Sequence, residues 1–235
     1  MTSTSTSCVA LAAALALTGC ATPTATSRAD PFEPLNRAAY AIHEPLDRVI
    51  VRPMIQAWAD LVPPVIRRPL ANFYNNIEDL FSGINGMLQG KLDKAGHDFG
   101  RVMLNTSFGL GGLLDFASEA GIPRGDEDFG QTFGAWGIPQ GPYLFIPLFG
   151  PTTARDGTGF LIRIAVGPVG YINDVPLRNV LYGIGYVEGR AQLLDAQTLV
   201  DRAALDPYTF IRRSYLQRRE YLTYEGNPPR KDDDE

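Results

Sequence analysis

The sequence predicts a single all-α domain, on three observations. Apolar residues recur at three- and four-residue steps in several long windows, the spacing that gathers them on one face of an α-helix. The long alternating segments that a membrane β-barrel needs are absent. Between Asp30 and Tyr224 no linker divides the chain and no period of roughly 20–50 residues recurs, which leaves one body rather than two domains or a solenoid.

Ahead of that body, "CVALAAALAL" (8–17) is too short for a bilayer span, which takes about 20 apolar residues, and matches the apolar region of a secretory signal. "LTGC" follows at once and resembles the lipobox of bacterial lipoproteins, although residues 1–7 carry no Lys or Arg. That resemblance implies cleavage after residue 19, a diacylglyceryl thioether on Cys20 and an acyl group on its new amino terminus. Ala21 in place of Asp matches the usual rule for sorting to the outer membrane. With Cys8 removed and Cys20 blocked, no thiol is left for a disulfide or a thiolate metal site, and apolar burial has to hold the fold. Residues 20–29 read as a lipidated, flexible tether. The segment 225–235, with Gly, two Pro and a run of acids, reads as a disordered tail. Every charge lies after position 19, so the mature chain keeps the net charge of −5, a balance that does not suit nucleic acid.

Within the body, residues 34–60 are periodic but interrupted by Pro45 and Pro53, which predicts kinked or separate short helices. Leu70, Phe73, Ile77, Leu80, Ile84 and Met87 form one helical stripe, with Asn72, Asn76, Glu78 and Asn85 elsewhere. Gly83 and Gly86 weaken that helix by about 1 kcal/mol each relative to Ala. Leu193, Ala196, Val200 and Ala203 make a second stripe. Asp206-Pro207 suits an N-cap followed by Pro at N1, opening a helix with Tyr208, Ile211, Tyr215 and Leu222 on one side and its arginines mostly on the other. Only "LIRIAV" (161–166) has the look of a strand.

A search for chemistry finds little. The two histidines stand in no H-E-x-x-H, and neither a G-x-S-x-G elbow nor a P-loop is present. "GLGG" (109–112) and "GIGYVEG" (183–189) miss the dinucleotide spacing and read as helix starts or close-packing sites. His97 reads as a partly exposed helix residue beside a possible Asp98–Arg101 pair. "RGDED" (124–128) reads as a solvated turn, because the six or more oxygen ligands of a calcium site are missing. Ser107 or Ser118 with His97 is the one thinkable hydrolase pair, and it lacks an elbow. No catalytic residue, metal or cofactor is expected.

What stands out is physical. "FGQTFGAWGIPQGPYLFIPLFGPTTA" (129–154) has no charged residue or histidine in 26 positions, yet carries four prolines and five glycines. Lipid-exposed backbone must satisfy every donor and acceptor internally, and irregular backbone at that depth survives only against protein or around a cavity. The segment is therefore either a buried turn system in a core or a hairpin bordering an apolar passage.

Seven blocks in order then carry a resemblance over nearly the whole mature chain: "DPFEPLNRAAYAIHEPLDRVIVRP" (30–53), "NFYNN" (72–76), "NGMLQGK" (85–91), "GRVMLNTSFGLGGLLDFA" (100–117), "EDFGQTFGAWGIPQGPYLFIPLFGPTTARDG" (127–157), "EGRAQLLD" (188–195) and "DPYTFIRRSYLQRR" (206–219). Together they closely resemble the VacJ/MlaA family of outer-membrane phospholipid-transport lipoproteins. Two places depart: Ile42-His43 where the family commonly has Phe-Asn, and Glu78-Asp79-Leu80 where a proline is usual. The resemblance implies kinked and amphipathic helices arranged as a ring around an amphipathic channel. The resemblance further implies that such a ring would lie in the inner leaflet of the outer membrane and pass misplaced phospholipids to a periplasmic lipid-carrier protein. Association with a trimeric porin is also implied, and no cofactor. On that basis the Gly/Pro-rich segment is expected to be the hairpin beside the channel. Gly137, Gly141 and Pro142 would permit a tight turn, and Trp136, Tyr143 and Phe145 would contact acyl chains or head groups; Arg155 and Arg163 would face the head groups. The alternatives are a structural lipoprotein tethering porins or cell wall, and an envelope phospholipase.

Overall fold

The computed structural model describes residues 30–229, so the signal, Cys20 and its tether lie outside the described residues. Helix α1 (Glu33–Leu46) runs through a π-helical turn, Asp47–Val51, into α2 (Arg52–Leu61). The cause of the wide turn is local. Pro53 has no N–H to give Val49, and the ladder loosens ahead of it, with Arg52 N–H donating to the Asp47 carbonyl five residues back. Pro63-Pro64 ends this rod, because Pro63 is extended and Pro64 opens α3 (Pro64–Leu88). The two arms, 33–61 and 64–88, meet at 119°, and no single described helix is long and apolar enough to cross a membrane.

Helix α3 turns back into α4 (Leu92–Ser107) through Gly90, whose φ of +76° suits the left-handed C-cap. Lys91 N–H donates to Gly86 O at 2.8 Å and Gly90 N–H to Met87 O at 3.0 Å, which closes the α3 carbonyls. Gly83 and Gly86 are the contact points of this pair. A Cβ on Gly83 would stand 3.0 Å from the Phe99 ring, and one on Gly86 3.3 Å from the Ala95 Cβ. Their helix penalty is thus offset by close approach of the two rods.

The short helix α5 (Phe116–Glu119) is capped by Asp115, and α6 (Phe129–Ala135) by Asp128. Strands β1 (Tyr143–Ile146) and β2 (Gly150–Thr153) form an antiparallel hairpin with Tyr143 opposite Thr153 and Ile146 opposite Gly150. Helix α7 (Ala154–Val166) follows directly, so the strand-like "LIRIAV" is helical, its pattern too short to outvote the Thr153 N-cap that starts the helix. After a 3₁₀ turn, Pro168–Tyr171, come α8 (Val175–Ala191), α9 (Leu194–Ala203) and α10 (Pro207–Thr223). Asp206 caps α10 as expected, its carboxylate accepting from Thr209 N–H.

Packing closes on itself. α1 lies on β1, β2 on α7, α7 reaches α8 through the 3₁₀ turn, α8 lies on α2, and α2 returns to α1. This closed circuit is the ring expected of an all-α body, carrying one small hairpin. The core under it is aromatic: Tyr143, Phe145 and Tyr208, with Tyr40 and Tyr215 against them. At the C-terminal end, residues 225–227 fold back on α10, with Gly226 N–H on Tyr221 O at 2.9 Å and Glu225 paired to Lys94 at 2.7 Å. The first residues assigned to a disordered tail are therefore tied to the body.

Candidate lipid-facing site

Burial in this protein is inverted relative to a soluble globule. Among the described residues, nine hydrophobic side chains are buried against twenty-one polar or charged ones. Ordinarily charged residues are almost never fully buried, and the informative anomalies are buried polar groups and broad exposed apolar surface. Both occur here. Val49 is 71 % exposed, Leu61 79 %, Phe108 71 % and Leu161 66 %, while Asp47, Asp79 and Asp98 are fully enclosed. Helix α3 makes the inversion plain. Asn76, Asp79, Ser82 and Asn85 face inward, and Val65, Ile66, Met87 and Leu88 face out. The apolar stripe legible in its sequence is thus only half covered by protein.

Ion pairs and hydrogen bonds tie the inner faces together. Arg101 of α4 donates to Asp79 at 2.9 Å, to Asp115 at 3.1 Å and to the Ile122 carbonyl at 2.9 Å, while Arg124 reaches Asp79 at 2.7 Å. Asp98 accepts from Ser82 at 2.6 Å and from Gly125 N–H instead of pairing with Arg101. Burial works to raise the Asp115 carboxyl, but the Ser118 hydroxyl and amide, Asn105 and Arg101 outweigh it and hold it at about 2. A second knot joins α10 to α6 and α7: Arg219 binds Asp128 at 2.6 Å and Asp156 at 3.0 Å, and Tyr215 donates to Asp156 at 2.9 Å. Burial opposes the Asp128 charge; the Arg219 contact overrides it and leaves that carboxyl below the usual range. Arg212 and Arg219 therefore share the tyrosine face of α10, so two of its four arginines depart from the expectation that they lie mostly on the other side. "RGDED" is likewise no solvated turn: Asp128 caps α6, and buried Glu127 accepts from Lys91 at 2.9 Å and Lys94 at 3.2 Å.

The uncharged segment 129–154 is three things in succession: helix α6, an irregular stretch 136–142 and the hairpin. Gly137 and Gly141 have φ of +84° and +71°, so both bend the irregular stretch, but the tight hairpin turn lies beyond them at Pro147-Leu148-Phe149. Leu148 is itself left-handed there, at φ +70°, with Gly150 at +98° closing the reversal. Three side chains hold the hairpin. Asn36 imitates a neighbouring strand, accepting from Phe145 N–H at 2.9 Å and donating to Tyr143 O at 3.0 Å. His43 Nδ1 accepts from Leu148 N–H at 3.1 Å, and Tyr186 donates to Leu148 O at 2.9 Å.

The candidate lining residues separate accordingly. Tyr143 and Phe145 are enclosed by protein in the aromatic core, because the inward side of β1 packs on α1 and α10, and so neither side chain is placed to meet a lipid. Trp136 is 55 % exposed and anchored by its Nε1 on the Leu88 carbonyl at 3.0 Å. Gly137, Gly141 and Arg155 border a cavity of about 610 Å³ between the irregular stretch and α10. Pro142 lies beside Gly141 but does not border it. Arg163 instead pairs with Glu78 and stacks over Phe160. Sequence reasoning missed Phe149, exposed at the hairpin tip, and the α10 wall of the cavity, Arg213, Leu216, Gln217 and Glu220. The steps of four, three and four from Tyr208 through Arg212 and Tyr215 to Arg219 held the signal for α10, since they assign both arginines to one face and release Arg213 to the other.

The MlaA lipoprotein family model matches residues 28–222. This chain belongs to the MlaA lipoprotein family. A relative from Haemophilus influenzae, "Intermembrane phospholipid transport system lipoprotein MlaA", is 36 % identical over 231 residues, 95 % of this chain and 92 % of its own. One of the same name from Escherichia coli K12 is 36 % identical over 203 residues, covering 85 % and 80 %. A solved structure, described as "Structural basis for maintenance of bacterial outer membrane lipid asymmetry", superposes with a TM-score of 0.72 at 34 % identity. It covers 83 % of this chain and 98 % of that one. Family membership thus accounts for the helical ring, and the inverted burial is its physical counterpart in this chain.

Proposed function

We propose that this protein is the outer-membrane lipoprotein of an intermembrane phospholipid transport system, removing phospholipids mislocalised to the outer leaflet and so preserving lipid asymmetry. The observation that carries the reading is the pairing of an apolar exterior with a polar, ion-paired interior in a ring that lacks a membrane-crossing helix among the described residues. Such a body suits one leaflet, where Val49, Leu61 and Phe108 meet acyl chains from helices or helix ends whose backbone bonds are made internally. Two acyl signals give stable anchoring where one is marginal, which is the role assigned to lipidated Cys20.

A phospholipid has tails and a charged head, so its path needs an apolar side and a polar one. The irregular stretch supplies both within a few residues: Trp136 and Ile138 are exposed, and Gly137 and Gly141 border the cavity that Arg155 also lines. Trp136, Gly137, Gly141 and Pro142 are assigned to the channel rim. A trimeric porin and a soluble periplasmic lipid carrier are the proposed partners. No step of this function makes or breaks a covalent bond, so no catalytic residue is assigned. Deleting the protein and labelling phospholipid at the cell surface tests the reading, with complementation by the native chain and by Cys20→Ala. Surface phospholipid is expected to rise on deletion, to fall with the native chain and to stay high with Cys20→Ala. An unchanged surface would leave a structural, porin-associated lipoprotein.

A further inference from the structure

A second closed circuit lies within the fold. α3 touches α6, α6 lies on α7, the 3₁₀ turn links α7 to α8, and α8 returns to α3. One face of α3 makes both of its contacts here. Tyr74 donates to the Leu181 carbonyl of α8 at 2.5 Å, and Phe81 packs on Phe129 of α6 with ring centroids 6.2 Å apart. Glu78 lies between them on that face, four residues after Tyr74 and three before Phe81. On α7, Gly159 closes on α6, since a Cβ there would stand 2.7 Å from Gly130 N, and Arg163 follows four residues later on the same side.

Glu78 and Arg163 meet in an ion pair across this circuit. α3 and α7 do not pack on each other, so the two side chains reach across a gap between them. The pair is half open. Its side chains keep 47 % and 34 % of their surface, and Phe160, 5.7 Å beneath the Arg163 guanidinium, is itself 38 % exposed. That sets it apart from Arg101–Asp79 and Arg219–Asp156, which are buried between packed helices. A buried pair is fixed by the cost of stranding either charge, whereas an exposed one contributes little and exchanges partners readily. The circuit is thus crossed by a charged bar able to open, with an aromatic ring beside it.

We propose that Glu78–Arg163 is a gate across this circuit. Arg163 gives up the Glu78 carboxylate for the phosphate of a passing headgroup and returns to Glu78 once the lipid has left. Carboxylate and phosphate oxygens both suit the guanidinium fork, so the exchange keeps a charge-assisted contact throughout. The inference rests on the transport reading and adds to it the residue pair that opens the way.

The test follows the clearance of surface phospholipid after the full-length protein is induced in a deletion strain, with accumulation in the membrane checking that each variant folds. Glu78→Gln frees Arg163 and should speed clearance by up to about fivefold, the factor a half-exposed ion pair supplies. Arg163→Glu breaks the same pair but sets a second anion in the way of the phosphate, and should slow clearance. Equal effects of the two variants, or none, would make the pair a plain tie between helices and overturn the gate. A second measurement fixes the bar shut. Glu78→Cys with Arg163→Cys, bridged by a cleavable bifunctional thiol reagent, should lose clearance and regain it on reduction, whereas each single Cys treated alike should not. Undiminished clearance in the bridged protein overturns the gate and leaves the transport reading standing. Failure of the native chain to clear surface lipid would remove the transport reading itself.

Discussion

Arg101 and Asp79 meet at 2.9 Å on facing turns of α3 and α4, and both are shut off from the surrounding medium. The pair marks the inversion of the whole body, because a charge at this position has no water to fall back on. Removing one partner of a buried pair strands the other. Arg101→Ala is expected to lower unfolding stability by about 3–5 kcal/mol, read as a shift in the detergent-solubilised denaturant midpoint. Asp79 would keep Arg124 while Asp115 loses its arginine, so a loss well under 1 kcal/mol would contradict the hub role.

The α3–α4 contact depends on Gly86, where an added Cβ already lies 3.3 Å from the Ala95 Cβ. Gly86→Val forces two further methyl groups into that seam. Overpacking of this kind costs about 1–3 kcal/mol. Gly96, on the same α4 but open to space, accepts Ala without a clash, and Gly96→Ala should hold or gain stability in the same melt.

His43 holds the hairpin tip through a neutral ring nitrogen, and burial lowers its pKa below 6.5, with Arg190 and Arg52 adding to that and Asp47 and Glu44 opposing it. Above 6.5 both folded and unfolded chains carry a neutral imidazole, and the contribution is complete. As the pH falls below 6.5, the unfolded chain takes up a proton that the folded chain resists, so stability declines until the lowered folded value is passed. The protection of the Leu148 amide, its intrinsic rate divided by its observed one, should hold above pH 6.5 and fall as the pH drops below it. His43→Asn, which keeps an acceptor without titrating, should flatten that profile; an unchanged slope would assign it to other groups.

Leu61 and Val49 provide a test of the outer surface. On a water-facing helix, an exposed Leu→Asp change moves stability by about 0.5 kcal/mol or less. In hydrocarbon, an Asp costs about 2.5–3.5 kcal/mol. Leu61→Asp and Val49→Asp should therefore weaken membrane retention of the chain and its complementation of surface lipid, with little change in its folding. Full retention by both variants would place this face in water.

The sequence by itself determined the all-α class, the proline-broken N-terminal helices, the helical stripe over 70–87, the capped start of α10 at Asp206 and the family. Each of these depends on neighbours within a turn or two, where φ limits, missing N–H groups and capping act directly. It also singled out the uncharged segment, but the tight turn expected at Gly137, Gly141 and Pro142 lies further on, at Pro147-Leu148-Phe149. Which side of each helix lies inside was decided only by the tertiary structure. A stripe such as Leu70 to Met87 requires an apolar partner, and that requirement is met equally by protein or by lipid. The choice rests with charges far apart in the chain, Asp79 with Arg101 and Arg124, and Arg219 with Asp128 and Asp156. Once paired out of water, these hold the polar faces together and turn the apolar ones outward. The same long-range packing drew Tyr143 and Phe145 into the core and left Arg213 facing a cavity, since strand pairing and the arrival of α10 are invisible to any local pattern.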